Sequence, residues 1–436
     1  MSICNKNPVA SIVMIATTIG AVLISSISLI IGNDDVCYGL LVLGILSGGL
    51  AISAIKRSHT GNAIAIAYIT RLIICILYTV QNDGDADGYG IYAVQFAAMP
   101  ISDVFSSIPT GAYFYSWVIS FLFRVFGENY MPVRAMNMAI SVYCVYIAID
   151  VVDLIYGNKK TTNVAAWCMA LFPNLIRFSS YFANREPLLM IFTLLYIKHS
   201  YIYYLKNNKT HLFLSVVFLI PAMILHTSMI IMIALTVLII LSRKDKYSSR
   251  LSNALKKGLL AGGLIVFFIY MLSNGVGTEK LGVGGGVELS ISGISSIGNM
   301  SAEGRAAYLK GVSFSNPILT ILFLPIRMMY FLYTPFLWMI RNLVDIAGLF
   351  DALLYIYLSI AVIKKSISIL KCDHKSTEEK FILMLLLVLV VIVAMFAAVT
   401  SNYGTAIRHR CKLFPIFLFI AVDGIQSKIE SIIIKK

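Results

Sequence analysis

Residues 381–399 read FILMLLLVLVVIVAMFAAV, without one charged or amide side chain. An α-helix of about 20 apolar residues crosses the roughly 30 Å of hydrocarbon in a bilayer. Runs of this kind recur at 8–31, 37–55, 63–80, 133–155, 163–177, 187–205, 211–225, 227–241, 258–273, 346–363, 380–400 and 413–427. The 436 residues are 59% hydrophobic and only 13% charged, against about 25% charged in a soluble domain. So little polar surface cannot coat a water-soluble core of this size. The sequence therefore predicts an all-α, polytopic integral membrane protein: one transmembrane domain over 1–436 with about 12 crossings.

The net charge of +14 would suggest nucleic acid in a soluble chain. In a membrane protein it reflects lysines and arginines gathered in cytoplasmic loops, and no nucleic-acid partner is expected. Lys56-Arg57, Lys159-Lys160, Lys206 with Lys209, the cluster Arg243 to Lys257, Lys364-Lys365 to Lys380, and Lys428 with Lys435-Lys436 fall on one side. Both termini are then cytoplasmic, and the first apolar run reads as a retained helix. The outer side receives two long loops, 81–132 and 274–345. Gly111 to Gly127, rich in aromatics, reads as a helix lying in the outer interface. Pro317 to Arg341 reads as a broken, re-entrant segment with its break expected near Pro325. If both were crossings, the total would be 14. The stretch 274–304 is rich in glycine and serine and reads as an outer loop. Seven scattered cysteines without CxxC spacing give neither a disulfide framework nor a zinc site.

Polar groups kept at a membrane face are costly unless they act, and four clusters stand out. Asp83, Asp85 and Asp87, with Tyr89, follow the third span. A carboxylate there can serve as a general base on a hydroxyl or hold a divalent cation; the alternative is a solvated acidic loop. Arg177, Asn184, Arg185 and Glu186 lie in a short outer turn before Pro187, where Glu186 can cap the next helix. Arg305, Lys310, Arg327 and Arg341 belong to the second loop and the broken segment. Arginine suits bidentate phosphate contacts, with snorkelling to headgroups as the alternative. Arg408, His409 and Arg410, with Lys412, defy the charge asymmetry on the outer side and form a candidate anion site. His226, between two short apolar halves, reads first as a core histidine. Arg71 and Lys198 read as snorkelling or paired. Carboxylates and arginines on one side of a membrane suit transfer of a glycosyl group from a lipid pyrophosphate: a base takes the acceptor proton, and cations neutralise the leaving phosphate.

Asp85-Ala86-Asp87-Gly88-Tyr89 with Ala93 resembles the Asp-rich first outer loop of the GT-C membrane glycosyltransferases. An aromatic helix ending Phe126-Gly127, then Arg134 with Asn137, Pro173, Ser179 and Arg185-Glu186, continue the likeness. Gly404-Thr405-Ala406 with Arg408-His409-Arg410 and Pro415 is similar to polytopic enzymes of bacterial surface-polysaccharide clusters, including Wzy-type O-antigen or capsule polymerases. The resemblance implies a reaction at the periplasmic face of the bacterial inner membrane, with undecaprenyl-pyrophosphate-linked oligosaccharide as donor and acceptor. Asp85 or Asp87 would be the base. Tyr89, Arg134, Arg177, Arg185, Glu186, Arg305, Arg327, Arg408, His409 and Arg410 would bind substrate and pyrophosphate. It implies no cofactor and no metal site, a divalent cation at Asp85 and Asp87 being an alternative. Membrane lipids and a chain-length regulator protein are the further candidate partners. The acidic pair of many GT-C enzymes is here interrupted by Ala86, which leaves the base open. With no large soluble domain after the last span, repeat-unit polymerisation is expected ahead of single-sugar transfer from a polyprenyl-phosphate donor. A lipid-linked sugar flippase is the third reading.

Overall fold

A computed structural model describes residues 8–55, 59–77, 85–181, 183–242, 305–309 and 317–434, with isolated positions between 255 and 266. Asp83, the stretch 274–304, Lys310 and most of the cluster 243–257 lie outside the described residues, and of Asp85 only the helical backbone is described. Among the described residues the structure is helical, with one antiparallel bridge between Ala307 and Asn402.

The chain divides into two compact units, 1–195 and 196–436. The first contains α1 (Pro8–Ile31), α2 (Asp34–Ile55), α3 (Gly61–Leu77), α4 (Asp85–Ala98), α5 (Ile101–Ser106), α6 (Ala112–Phe126), α7 (Tyr130–Tyr156), α8 (Lys159–Ala170) and α9 (Pro173–Ile176). A π turn follows at Arg177–Tyr181, and α10 (Glu186–Lys206) runs over the boundary. In this unit α7 is the central element, packing on α2, α3, α6, α8 and the π turn. Asn129 opens α7 by accepting the Met131 N–H at 2.9 Å, as an N-cap should. Gly157, at φ 59°, closes it in the left-handed region that glycine enters without strain.

The second unit holds α11 (Lys209–Leu225), a 3₁₀ turn (Thr227–Met232), α12 (Ile233–Ser242), α13 (Pro317–Tyr333), α14 (Leu343–Lys371), α15 (Thr377–Val399) and α16 (Tyr403–Ile434). Capping boxes start α14 (Asn342 with Asp345) and α15 (Ser376 with Glu379). The stretch 409–422 of α16 is buried on every side, the pattern of a helix enclosed by others. Along α14, by contrast, Leu343, Ile346, Phe350, Leu353, Ile360, Ile363, Ile367 and Leu370 are exposed. So long an apolar stripe would be insoluble in water and is what lipid chains cover.

Five helices among the described residues are long and apolar enough to cross a membrane: Ile12–Ile31, Tyr130–Tyr156, Glu186–Lys206, Asp345–Lys371 and Thr377–Val399. Shorter apolar helices, including Gly61–Cys75, Ala112–Phe126 and Lys209–Leu225, add to them. The chain is a multi-pass membrane protein, helical among the described residues apart from the one bridge.

Three expectations change in detail. The run 163–177 is not one helix: α8 ends at Ala170, and Pro173, which has no N–H to donate, starts a new turn. From Asp85 on, the acidic stretch is helical and not an open loop, since α4 begins there. Pro325 does not break its segment; α13 runs through it to Tyr333, and the chain leaves the helix at Thr334-Pro335.

Candidate functional site

In the first unit the structure joins the first two sequence clusters. Ala86, Tyr89, Gly90 and Ala93 recur at helical spacing and form the buried stripe of α4. The Tyr89 ring meets that of Tyr115 on α6 edge-on, with centroids 5.2 Å apart. A β-carbon at Gly90 would land on the Tyr130 hydroxyl, so glycine allows the start of α7 to seat against α4. Asp87 lies off the stripe and is exposed. The Tyr115 hydroxyl accepts a hydrogen bond from Asn137 Nδ2 at 2.7 Å. The same amide nitrogen donates to the Asn184 carbonyl, also at 2.7 Å.

Asn184 leads directly into Arg185 and Glu186, both buried. Glu186 lies close enough to the Tyr115 hydroxyl to act on it electrostatically. As the first residue of α10, its carboxylate stands at the positive end of a helix dipole. The Oδ1 atoms of Asn137 and Asn184 are buried and accept no hydrogen bond among the described residues. The line Tyr89, Tyr115, Asn137, Asn184 thus connects the start of α4 to the start of α10. Asn137→Ala should remove the donor shared by Tyr115 and Asn184. The expected cost is about 1–3 kcal/mol, read as a lower melting temperature in detergent; an unchanged melt would show that the link carries no weight.

Arginines in both units close helix ends. Arg71, fully buried, donates to the Ala170 carbonyl at 2.8 Å and to Ser141 Oγ at 2.6 Å. Buried there, it does not snorkel to water. Arg124 reaches the Phe96 and Met99 carbonyls at the end of α4 (2.8 and 2.7 Å). Arg134 gives Nε and Nη2 to the Ser180 carbonyl in the π turn (3.1 and 2.6 Å). Arg177, half-buried, lies 5.8 Å from the Phe178 ring centroid. Helix C-termini leave carbonyls without partners, and hydrocarbon supplies no water for them. A guanidinium with five donors fits that need.

In the second unit, Arg327 donates to the Ala397 carbonyl at 2.8 Å and to Ser401 Oγ at 2.9 Å. Arg410 reaches the Phe331, Leu332 and Thr334 carbonyls at the end of α13 (3.0, 2.7 and 2.8 Å) and pairs with Asp351 at 2.6 Å. Arg305, about half-exposed, pairs with Asp345 at 3.1 Å. The strip Ala306–Tyr308 is bound to Ser401–Tyr403 by backbone hydrogen bonds of 2.8 and 2.9 Å. Burial pushes the Tyr308 phenol above its ordinary pKa, against the pull of Arg327 and Arg410. It stays a donor, to the Thr400 carbonyl at 2.9 Å.

Arg408, His409 and Arg410 are consecutive on α16, and consecutive helical residues point about 100° apart. They therefore serve different places and do not make one compact cluster. His409 stacks on Phe396 (4.5 Å) and meets His226 edge-on (5.2 Å). Its Nδ1 lies 3.0 Å from Lys412 Nζ. Which of the two atoms donates depends on the tautomer of the imidazole. His226 Nδ1 contacts Ser228 Oγ at 2.5 Å. Arg408 keeps part of its surface exposed. Among the described residues no group of three His, Cys, Asp or Glu could hold a metal ion, and no disulfide forms.

Residues 110–272 match the sequence model of the dolichyl-phosphate-mannose-protein mannosyltransferase family. Over that stretch the chain is similar to a GT-C-type membrane glycosyltransferase. No curated protein and no solved structure matches. The matched stretch takes in α6 to α12, hence Tyr115, Asn137, Asn184, Arg185, Glu186 and His226, and begins after Asp85 and Asp87. A GT-C-type enzyme acts on polyprenyl-linked sugars, which agrees with an apolar helical chain.

The role of Tyr115 escaped the sequence reading, although Tyr115, Ser116, Ile119, Ser120 and Phe123 repeat at helical spacing, the signature of a buried face. His226 was singled out as a core histidine and is bonded to Ser228, but its packing partners Phe396 and His409, distant in the chain, gave no signal.

Proposed function

We propose that this chain is a GT-C-type glycosyltransferase drawing on a polyprenyl-linked sugar donor at the outer, periplasmic face of a bacterial inner membrane. The observation that carries the reading is the match over 110–272, joined to the buried line from Tyr89 through Tyr115 and Asn137 to Asn184. That line fixes the start of α4, which bears Asp85 and Asp87, against the start of α10, which bears Arg185 and Glu186. In the proposed step a carboxylate of α4 removes the proton of an acceptor hydroxyl. The oxygen attacks the anomeric carbon, and the bond from that carbon to the phosphate oxygen breaks. The bonding electrons leave with the lipid phosphate, whose charge arginines neutralise.

Within this class we place repeat-unit polymerisation first: undecaprenyl-pyrophosphate-linked units, as in O-antigen or capsule, joined into a chain. Its support is the second basic region, where Arg305 and Arg408 retain exposed surface. Arg134, Arg327 and Arg410 are buried and serve carbonyls, whereas Arg305 and Arg408 keep surface that a phosphate could approach. Transfer of a single sugar from a polyprenyl-phosphate donor is the second reading, and the matched family, named for mannosyl transfer from dolichyl phosphate, favours it.

Loss of the gene separates the two. Polymerisation predicts that only single repeat units remain on lipid, seen as a lost ladder on a gel. Single-sugar transfer predicts a constant mass change per unit with the ladder intact. Arg408→Ala should reproduce the gene-loss phenotype with an activity drop of about 10²-fold at normal protein level.

A further inference from the structure

The polar groups described so far in α14 and α16 lie toward the N-terminal ends of those helices. At 1.5 Å per residue, Lys365 stands roughly 30 Å along α14 from Asp345, about one hydrocarbon thickness. There a cavity of about 530 Å³ opens between α14 and α16, lined among others by Tyr357, Lys364, Lys365, Asp423, Gly424 and Lys428. Lys365 pairs with Asp423 at 2.7 Å, and the Lys428 ammonium lies 5.3 Å from the Tyr357 ring centroid. Lys364 is exposed. Three lysines against one carboxylate leave a positive surplus in an otherwise apolar recess.

Gly424 is the second observation. A helix-interior glycine is costly relative to alanine, yet a β-carbon at this position would meet nothing within 4 Å. The helix packing does not require the missing side chain, and Gly424 lies in the lining of the cavity. Beside it, Ile356, Ile360, Ile363, Ile367 and Leu370 form an exposed apolar rail along α14. We propose that this cavity binds the phosphate headgroup of an anionic phospholipid, whose acyl chains lie along the α14 rail. Lysines supply the point charges that a phosphate needs, and basic recesses between membrane helices take anionic headgroups for this reason. The site is separate from the glycosyl-transfer reading and stands without it.

The test uses the full chain in nanodiscs of phosphatidylcholine with graded phosphatidylglycerol, reading lipid retained by native mass spectrometry. Phosphatidylglycerol should be retained roughly tenfold over phosphatidylcholine. Lys364→Gln with Lys428→Gln should reduce that preference to below about threefold. Both side chains are exposed, so this variant should fold. Gly424→Leu should abolish the preference by filling the cavity. Equal retention of the two lipids, or an unchanged preference in the lysine variant, would overturn the proposal. Displacement of phosphatidylglycerol by millimolar inorganic phosphate would overturn it too, by assigning the cavity to free phosphate.

Discussion

Asp87→Asn should lower glycosyl transfer about 10²–10⁴-fold if Asp87 is the proposed base, the range contributed by a positioned general base. The amide keeps the shape of the carboxylate but cannot take a proton. Asp87 is exposed and lies off the stripe by which α4 packs, so its replacement touches no buried contact. A purely structural Asp87 would act as an acidic residue in a first helical turn, and its loss would move stability by only about 0.3–1 kcal/mol with little effect on rate. The two roles therefore separate cleanly. Asp85→Asn tests the alternative base, and the double variant should be inactive. The measurement is sugar transfer per amount of folded protein, from a polyprenyl-linked donor in detergent. Asp87→Asn and the double variant both at wild-type rate would remove the α4 carboxylates from the mechanism.

The membrane class was legible because it depends on local composition: one run of apolar residues the length of a bilayer is decisive wherever its partners are. The caps of α7, α14 and α15 are equally local, with Asn129, Asn342 and Ser376 directly before their helices, but the sequence reading did not use them. The arginines were not legible. Arg71 in an apolar run reads the same whether its guanidinium snorkels to water or caps a distant helix, and its partner Ala170 is 99 positions away. The partners of Arg408-His409-Arg410 were not legible for a geometric reason: adjacency in sequence becomes divergence on a helix. Conversely, the acidic motif and the Arg185-Glu186 turn, read as separate clusters, meet through Tyr115 and Asn137. Neither residue carries a charge to attract notice.

Arg410→Ala should cost about 3–5 kcal/mol of stability, the penalty for breaking a buried ion pair from one side. The side chain of Arg410 has no exposed surface, and that of Asp351 is 6% exposed. The variant leaves the Asp351 carboxylate buried with its cation gone. It also takes the donors from the Phe331, Leu332 and Thr334 carbonyls at the end of α13, and packing from the Tyr355 ring 5.5 Å away. Adding Asp351→Asn should recover part of the loss, because it removes the uncompensated charge but not the orphaned carbonyls. Arg408→Ala, two positions earlier, should melt close to wild type while losing activity. The contrast decides what the basic start of α16 is for. If Arg410 instead met the leaving phosphate, Arg410→Ala would melt like the wild type and fail only in transfer. Thermal unfolding of the three variants in one detergent, with activity measured on the same samples, distinguishes a helix-closing arginine from a phosphate-binding one.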